Sequence, residues 1–398
     1  MQRVLDSIRV VEATEALAGP YCAMMLGDFG ADVVKVERKK VGDQSRGWGP
    51  PFCGQESAYF LAANRNKRSL TLDYNHPSGK EIMHRLLETA DVFLINQPSL
   101  ESLKRSALDP ESLCARFPRL IYCAITGYGV YGPKAGLAGY DIIAQAETGV
   151  MSFTGEPGGE PIRYPVALAD LTCGIYSALG ILAALFAREK TGCGQFLDMA
   201  LFDSQLTLLA NIGSNFLNAG ILPQRWGNAH PSIVPYQLFR GADHRHFVVG
   251  VGTEPLWTRF TGVLGVEESV GRNPLFQSNK LRIKNRTALI YQLQEILSTR
   301  PAEEWVARLM EAQIPAALIK NVDEVFCDRQ VLERKLIVEF EHSSLQAAKS
   351  IANPVRLSAT PVSYRFPPPL LGEHNEELLA NLGYSREQID EASAVGAI

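Results

Sequence analysis

The sequence predicts an α/β chain, with a large Rossmann-like domain built on a parallel sheet and a smaller α+β domain. Short apolar runs alternate with helical stretches through the first half of the chain, which is typical of a mostly parallel sheet covered by helices on both faces. The chain has 398 residues, more than one hydrophobic core usually serves. We therefore expect two domains.

Five apolar runs are predicted as strands of the parallel sheet. They are Ile8–Thr14, Asp32–Arg38, Ser69–Tyr74, Asp91–Asn96 and Arg119–Ile125. A helix is expected after the first run, because Pro20 suits a first helical turn and Gly30 suits a helix end. Ligands bind beyond the carboxyl ends of the strands in such sheets, so functional side chains are expected there.

The second half of the chain predicts the domain limits. Residues 220–235 are irregular and read as a linker, and strands near Tyr236–Arg240 and His246–Val251 then open a smaller unit. The predicted limits are 1–219 for the first part of the large domain, 220–235 for the linker, 236–330 for the small domain, and 331–398 for a second linker and a C-terminal return to the large domain.

Composition excludes several classes of protein. The net charge of −4 argues against a general nucleic-acid binder, and the seven cysteines form neither a C-x-x-C pair nor a Cys/His cluster, so we expect a reduced chain without bound metal. The longest apolar run, Gly174–Ala187, is too short to span a bilayer and predicts a core helix. We see no signal peptide and expect a cytoplasmic protein, or a mitochondrial matrix protein if processed.

Asp170 is the main candidate for a catalytic residue. It stands among small apolar residues and directly precedes the apolar helix predicted from Leu171 to Arg188. One interpretation is an N-cap aspartate, because helix N-termini favour a carboxylate. The other is a nucleophile or base, because a helix that is apolar all round must be buried, which places its start in a sheltered site.

The ends of the predicted strands are rich in positive charge. The residues are Lys35, Arg38, Lys39, Lys40, Arg46, Arg65, Lys67 and Arg68. They are either a solvated basic face or a site for a ligand with several phosphates. The chain has no G-x-G-x-x-G after the first strand and no phosphate-binding P-loop, so a nicotinamide enzyme and P-loop chemistry are not expected.

Several segments, in this order, resemble the family III CoA-transferases, the group that contains formyl-CoA transferase and carnitine CoA-transferase. They include VEATEALAGPYCAMMLGDFGADVVKVER, GDQSRGWGP, NRNKRSLTLD, TGYGVYGP, GYDIIAQAETGVMSFTG, ALADLTCG and TGCGQFLDMALFDS. The segments NAHPSIVPYQLF and PPPLLGEHN are most similar to the subgroup that moves CoA between dicarboxylic acids. The resemblance extends from end to end of the chain.

The resemblance implies that Asp170 attacks an acyl-CoA thioester and forms first an aspartyl–acyl anhydride and then an aspartyl–CoA thioester. It implies coenzyme A as a substrate, with no tightly bound cofactor. It also implies a homodimer of two interlocked, ring-like subunits.

The resemblance also implies a CoA site. Matching motifs place Arg38, Leu72, Asn75, Asn96, Gly127 and Tyr128 there. Arg105 is assigned with them, although the segment NQPSLESLKR needs a one-residue insertion and Lys104 competes for the role.

Three further residues are candidates for contact with the acid substrate. His230 is either a donor to a second carboxylate or a linker histidine bonded to backbone. Arg46 is either a carboxylate anchor or part of a salt bridge, and Trp48 either walls the pocket or belongs to the core.

Two other functions are considered. An acyl-CoA racemase of the same fold uses a histidine in a G-H-D motif, and this chain has Gly139-Tyr140-Asp141 there. A tyrosine with a pKa near 10 is poorly matched to removing an α-proton. A catalytically silent CoA-binding protein is the third function, and the presence of Asp170 in the matching motif argues against it.

Overall fold

The computed structural model describes residues 3–96 and 100–398. In chain order its strands are β1 Arg9–Ala13, β2 Asp32–Glu37, β3 Phe52–Cys53, β4 Glu56–Ser57, β5 Lys67–Thr71, β6 Val92–Ile95, β7 Ile121–Thr126, β8 Phe196–Ala200, β9 Tyr236–Arg240, β10 His246–Gly250, β11 Ala316–Leu318, β12 Ile337–His342 and β13 Leu345–Ile351. Six of them form one parallel sheet in the order β5-β2-β1-β6-β7-β8. The strand order reverses between β1 and β6, and a crevice is expected at such a point.

Helices cover both faces of the sheet. In chain order the helices are α1 Ala18–Asp28, α2 Ala58–Ala63, α3 Pro77–Glu88, α4 Leu100–Ser106, α5 Pro110–Arg116, α6 Asp141–Glu147, α7 Val150–Phe153, α8 Leu168–Thr191, α9 Leu201–Thr207, α10 Ala210–Ala219, α11 Glu254–Leu264, α12 Asn279–Lys284, α13 Arg286–Leu297, α14 Ala302–Glu311, α15 Val322–Phe326, α16 Arg329–Glu333, α17 Asn375–Asn381 and α18 Arg386–Ala394. Neighbouring strand residues such as Val10 and Val11 enter two different cores. One core includes α3 and α17, and the other includes α1 and α8, so the predicted two-sided parallel sheet is confirmed.

All five predicted strands of this sheet are present, but the sequence reasoning missed a sixth. Strand β8 has the sequence FLDMA and pairs with β7, at the edge of the sheet. Phe196 in this strand remains exposed and Asp198 is half-buried. Such a strand lacks the continuous apolar run that identifies the buried ones.

Helix α8 is longer and less buried than the sequence predicted. It spans 24 residues and is long and apolar enough, by length and composition, to cross a membrane. One face packs against α1 and the sheet, which agrees with a core role. The other face exposes large apolar side chains, among them Leu179 and Phe186. The expectation of burial all round is therefore wrong for the single chain.

The chain divides into two compact units. Unit 1 comprises Met1–Val150, Arg163–Gly220 and Arg329–Ile398, and unit 2 comprises Met151–Ile162 and Ile221–Asp328. Unit 1 contains the parallel sheet and the hairpin β12–β13, while unit 2 contains the antiparallel sheet β11-β10-β9 with a core of its own. This division differs from the predicted limits, because residues 151–162 and the linker residues 221–235 group with unit 2.

Candidate active site

Two cavities in unit 1 meet at Asp170. The smaller, which we call the narrow cleft, has a volume of about 320 Å³ and lies where the strand order reverses, between Ala13 at the end of β1 and Asn96 after β6. The larger, which we call the wide cavity, has a volume of about 1220 Å³ and is lined by parts of α1, α2, α8 and β13. Asp170, Ala16 and Tyr140 line both. The Asp170 side chain is therefore accessible from both the narrow cleft and the wide cavity.

Asp170 lies in the first turn of α8 and does not cap the helix. The N-cap residue is Ala167, and Asp170 is the third helical residue. The capping role belongs to Asp141, whose Oδ1 accepts a hydrogen bond from the backbone N–H of Ala169 at 2.9 Å. The N-cap interpretation of Asp170 is therefore wrong.

The electrostatic surroundings of Asp170 disfavour its charge. Burial raises the pKa of Asp170 to about 7, the nearby Asp141 carboxylate adds to the rise, and a hydrogen bond from the backbone of Ala18 opposes it. Ala18 is the first residue of α1, so a second helix N-terminus approaches the carboxylate. No arginine or lysine of the described chain is among the causes of this shift. A carboxylate that is ionised near neutral pH and has no ion-pair partner is suited to attack an electrophile.

Aromatic side chains form one wall of the wide cavity beside Asp170. Trp48 and Tyr59 both line it, with their ring centroids 4.9 Å apart in an edge-to-face arrangement. Burial, together with the charges of Asp170 and Asp141, raises the pKa of Tyr59 to about 12. Tyr59 therefore keeps its proton at neutral pH and has a hydroxyl hydrogen to donate. Trp48 is 37% exposed, so of its two alternatives the structure favours the cavity wall over the core.

Two glycines set the backbone at the base of the narrow cleft. A Cβ on Gly127 would lie 2.6 Å from the Cα of Gly139, and a Cβ on Gly139 would lie 2.4 Å from the Cα of Gly127. The chain after β7 therefore packs directly against the chain before α6, and neither position has room for a side chain. This close approach places Tyr140 and Asp141 beside the start of α8.

Comparison with known proteins agrees with this geometry. The family model of CoA-transferase family III matches residues 5–375. The chain belongs to that family. It is 38% identical over 395 residues to human succinyl-CoA:glutarate CoA-transferase, which covers 99% of this chain and 90% of the human protein.

A bacterial relative and a solved structure extend the comparison. The succinate–glutarate CoA-transferase of Agrobacterium fabrum is 41% identical over 389 residues, covering 95% of each chain. The crystal structure of a CAIB/BAIF family protein from Brucella suis superposes with a TM-score of 0.87 at 39% identity, covering 96% of this chain and 100% of that one. The predicted membership of family III, and of its dicarboxylate subgroup, is confirmed. The protein is a family III CoA-transferase.

Three of the residues assigned to CoA line the narrow cleft of this CoA-transferase. They are Arg38, Asn96 and Gly127. Arg38 forms an exposed ion pair with Glu15, with 2.7 Å between its Nε and the carboxylate. The amide of Asn96 bonds both the N–H and the C=O of Glu15, at 3.2 and 2.9 Å. Asn96 therefore fixes the chain beyond β1, and the exposed guanidinium of Arg38 remains near solvent.

The other assigned CoA residues do not line the cleft. The side chain of Leu72 is buried in the core, so only its backbone is suited to ligand contact. Asn75 is exposed and accepts a hydrogen bond from Ser106. Tyr128 packs beside Phe202 and hydrogen-bonds Glu147.

Arg105 and its competitor Lys104 are both exposed in the last turn of α4, so the structure does not separate them. Residues 97–99 of their segment lie outside the described residues.

Most of the basic side chains at the strand ends are neutralised inside unit 1. Lys35 and Lys67 are fully buried, and both contact Glu12, at 3.1 and 2.8 Å. Arg65 pairs with Asp28 at 2.6 Å and is also buried. The predicted polyphosphate site therefore does not include these cations. The reason is that their acidic partners are distant in sequence and adjacent only in the folded sheet.

Arg46 also belongs to an internal ion cluster. Its guanidinium donates two hydrogen bonds of 2.8 Å to Glu37 and one of 3.0 Å to Glu56, and it lies 3.7 Å from the centre of the Phe60 ring. Arg46 is absent from the lining of both cavities in the described chain. The structure favours a salt bridge over the predicted carboxylate anchor.

His230 belongs to unit 2. Its Nδ1 accepts a hydrogen bond from the backbone N–H of Ser232 at 3.0 Å, and its ring lies beside Tyr236. These contacts agree with a linker histidine bonded to backbone. Its predicted contact with substrate stays a prediction.

Two residues that sequence reasoning did not assign to the site lie close to Asp170. Asp141 entered only as part of the Gly139-Tyr140-Asp141 motif, and Tyr59 was not considered. An acidic residue at the start of a short predicted helix was a usable signal for Asp141, but its hydrogen bond reaches Ala169, 28 residues away. Nothing local distinguished Tyr59 from a core tyrosine.

Proposed function

We propose that this CoA-transferase moves CoA from a succinyl-CoA-like donor to a dicarboxylic acid, with Asp170 as the covalent nucleophile. The observation that carries this proposal is the position of Asp170 at the junction of the two cavities, where no cation among the described residues neutralises it. The narrow cleft then receives the CoA thiol end, and the wide cavity receives the acid. The named activities of the human and Agrobacterium relatives support the choice of acids.

The first half of the proposed reaction replaces the donor acid by Asp170. A carboxylate oxygen of Asp170 attacks the thioester carbonyl, the C–S bond breaks, and the CoA thiolate leaves an aspartyl–acyl anhydride. The thiolate then attacks the aspartyl carbonyl of the anhydride. This forms an aspartyl–CoA thioester and releases the donor acid as a carboxylate.

The second half repeats these steps in reverse with the acceptor. The acceptor carboxylate attacks the aspartyl thioester and releases the thiolate, which then attacks the acceptor carbonyl and frees Asp170. Each step passes through an oxyanion, which correctly aimed N–H and O–H donors stabilise by several kcal/mol. The Tyr59 hydroxyl and the N-terminal amides of α1 are the donors near Asp170.

An acyl-CoA racemase on the same fold gains no support from this arrangement. Such a reaction needs an acid and a base on opposite faces of the α-carbon. Asp141 accepts hydrogen bonds from Ala169 and from Gln145, at 2.9 and 2.7 Å, and is engaged in holding the start of α8. Tyr59, whose pKa is raised to about 12, is poorly matched to removing an α-proton at neutral pH.

The test is to trap the acylated aspartate. The protein is incubated with succinyl-CoA in the absence of an acceptor and then treated with hydroxylamine, and the peptide containing Asp170 is analysed by mass spectrometry. We expect a hydroxamate on Asp170 in the wild type. Asp170→Ala should lose the adduct and lower transfer by at least about 10³-fold, since it removes the nucleophile. Calorimetry should show CoA binding retained.

Asp203→Ala is the matched control. Asp203 is also the third residue of its helix, α9, but it is exposed and lines neither cavity in the described chain. We expect this variant to form the adduct and to transfer CoA as the wild type does. An Asp170→Ala variant with wild-type turnover would refute the proposed nucleophile.

We further propose that a second copy of the chain covers the exposed apolar face of α8. Ile175, Leu179 and Phe186 lie on one side of this helix and are 48%, 59% and 66% exposed. Contiguous apolar surface of this kind marks an interaction site in a soluble protein. The homodimer implied by the family resemblance supplies the occupant, and its interlocked form stays a prediction.

Sedimentation at micromolar concentration tests this proposal. Leu179→Glu should shift the protein from dimer to monomer, whereas Met310→Glu, an equally exposed position on α14, should not. A wild-type chain that sediments as a monomer would contradict the proposal.

A further inference from the structure

Among the described residues three cationic side chains line the wide cavity, and two of them already have carboxylate partners. Arg65 is fully buried and donates to both oxygens of Asp28, at 3.0 and 2.6 Å, and to the carbonyl of Ile351. Lys349 lies on β13 and pairs across the hairpin with Glu339 at 3.5 Å. Neither charge is fully available to an anionic substrate.

The third cation, Arg163, has no carboxylate partner within the described parts of the chain. Its side chain is exposed, and one terminal nitrogen donates to the carbonyl of Pro165 at 3.3 Å. Arg163 lies seven positions before Asp170 and lines the same cavity. Most of the donors of this guanidinium are therefore free to bind a ligand that enters the cavity.

The backbone next to Arg163 is fixed, although it belongs to no helix or strand. The N–H of Tyr164 donates to the side-chain oxygen of Gln145 at 2.8 Å, and the carbonyl of Tyr164 accepts from the same amide at 3.1 Å. Gln145 is fully buried and also bonds Asp141 at 2.7 Å. One buried amide thus ties the base of Arg163 to the carboxylate that caps α8.

We propose that Arg163 binds the distal carboxylate of the dicarboxylic substrate and sets the preference for diacids. A guanidinium binds a carboxylate through two parallel hydrogen bonds, which a monocarboxylic acid of the same length cannot make at its far end. Asp141 and Asp170 make the region near the nucleophile negative, so a second carboxylate needs a cation farther along the cavity. The apolar side chains of Val166 and Leu171 suit the methylene spacer between the two carboxylates.

This inference rests on the proposed function, and the experiment separates the two. Acceptor kcat/KM is measured at saturating donor for glutarate and for valerate, which have the same number of carbons and differ in the distal carboxylate. In a ping-pong reaction this constant reports the acceptor half-reaction alone. The donor half-reaction is measured in the same way with succinyl-CoA and butyryl-CoA.

Arg163→Met should lower kcat/KM for glutarate by about 10- to 100-fold and leave the value for valerate within about twofold. Arg163→Lys should recover part of the loss, because it keeps the charge but not the planar fork. Activity on valerate serves as an internal check that the variant is folded and that Asp170 still reacts. The succinyl-CoA and butyryl-CoA pair should show the same pattern.

Arg119→Met is the matched control. Arg119 is also exposed, and its side chain donates a hydrogen bond to the carbonyl of Gly192 at 3.1 Å. It precedes β7, so it lies at the amino ends of the strands, whereas the narrow cleft lies at their carboxyl ends. We expect it to retain the wild-type preference for diacids. Equal losses on glutarate and valerate in Arg163→Met, or the selective loss in Lys349→Met instead, would overturn the inference while leaving the proposed function intact. A wild-type protein that uses valerate but no diacid would overturn the proposed function itself.

Discussion

Two groups of buried carboxylates lie near the carboxyl ends of the strands of the same sheet. Their surroundings shift the carboxyl pKa in opposite directions. In the first group Asp43 pairs with the buried Lys35 at 2.9 Å. Burial alone would raise the pKa of Asp43, but the Lys35 ammonium holds it below its ordinary value. In the second group Asp170 faces Asp141 instead of a cation, and its pKa rises to about 7. Burial is common to both, so the partner decides the outcome.

The paired group stabilises the loop that faces the unpaired one. Lys35 bonds Glu12, Asp43 and the carbonyl of Thr14. The same Asp43 accepts a hydrogen bond from the N–H of Ala16 at 3.0 Å. Ala16 has a φ of 71°, in the left-handed region that a residue with a side chain rarely adopts. The ion cluster therefore holds a strained turn whose next residues lead to the N-terminus of α1, beside Asp170.

The largest stability effect expected from this comparison is in Lys35→Met. Removing one partner of a buried ion pair leaves the other charged and unpaired, which costs about 3–5 kcal/mol. Here Asp43 would lose the ammonium of Lys35, while Glu12 would keep its contact with Lys67 at 2.8 Å. We expect a loss of that size in the free energy of unfolding, measured by urea denaturation at pH 7.

Arg386→Met provides the exposed counterpart. Arg386 pairs with Glu376 and Asp390 on the surface of unit 1, where its side chain is 61% exposed. Exposed pairs contribute about 0–1 kcal/mol, so this variant should unfold almost as the wild type does. Similar losses in the two variants would mean that burial does not distinguish the two clusters.

The sequence predicts the sheet better than it predicts the charges. A buried strand such as β6 is recognisable because its apolar run is continuous, and the five buried runs were all found. The partner of Lys35 is not recognisable in this way, since Glu12 stands opposite it only through the parallel register of β1 and β2. Basic residues at strand ends therefore suggested a phosphate site, while in the fold most of them neutralise acids from other strands.

The candidate site shows the same limit. The motif around Asp170 is contiguous, so the residues and the family resemblance were enough to select Asp170 as the candidate nucleophile. Arg46 was assigned to substrate because a sequence cannot show that Glu37 and Glu56 already occupy its guanidinium. Arg163 went unassigned because the argument for its proposed role depends on Arg65 and Lys349 already having carboxylate partners, and those pairs are visible only in the folded chain.

The remaining prediction concerns the effect of the raised pKa of Asp170 on the free energy of unfolding. The pKa of Asp170 is about 7 in the folded protein, against an ordinary value of 3.8. Between these values the folded state binds a proton that the unfolded state has lost, so stability decreases as pH rises. From pH 5 to pH 8 this lowers wild-type stability by about 2–3 kcal/mol.

Asp170→Asn removes this dependence, because an amide does not ionise. Its unfolding free energy relative to wild type should therefore increase by that amount between pH 5 and pH 8, measured by urea denaturation at both values. Asp203→Asn, at the same helix position but exposed, is the control. A parallel increase in the control, or none in Asp170→Asn, would show that Asp170 is not held against its charge.

Asp141→Asn sharpens the same measurement. Because the Asp141 charge is the second cause of the raised pKa, its removal should lower the pKa of Asp170 without restoring the ordinary value. In the reaction that we propose, the pH at which half-maximal acyl adduct forms should then decrease, since a carboxylate attacks only when it is ionised. An unchanged midpoint would mean that the Asp141 charge does not raise the pKa of Asp170, and that Asp141 serves only to hold the start of α8.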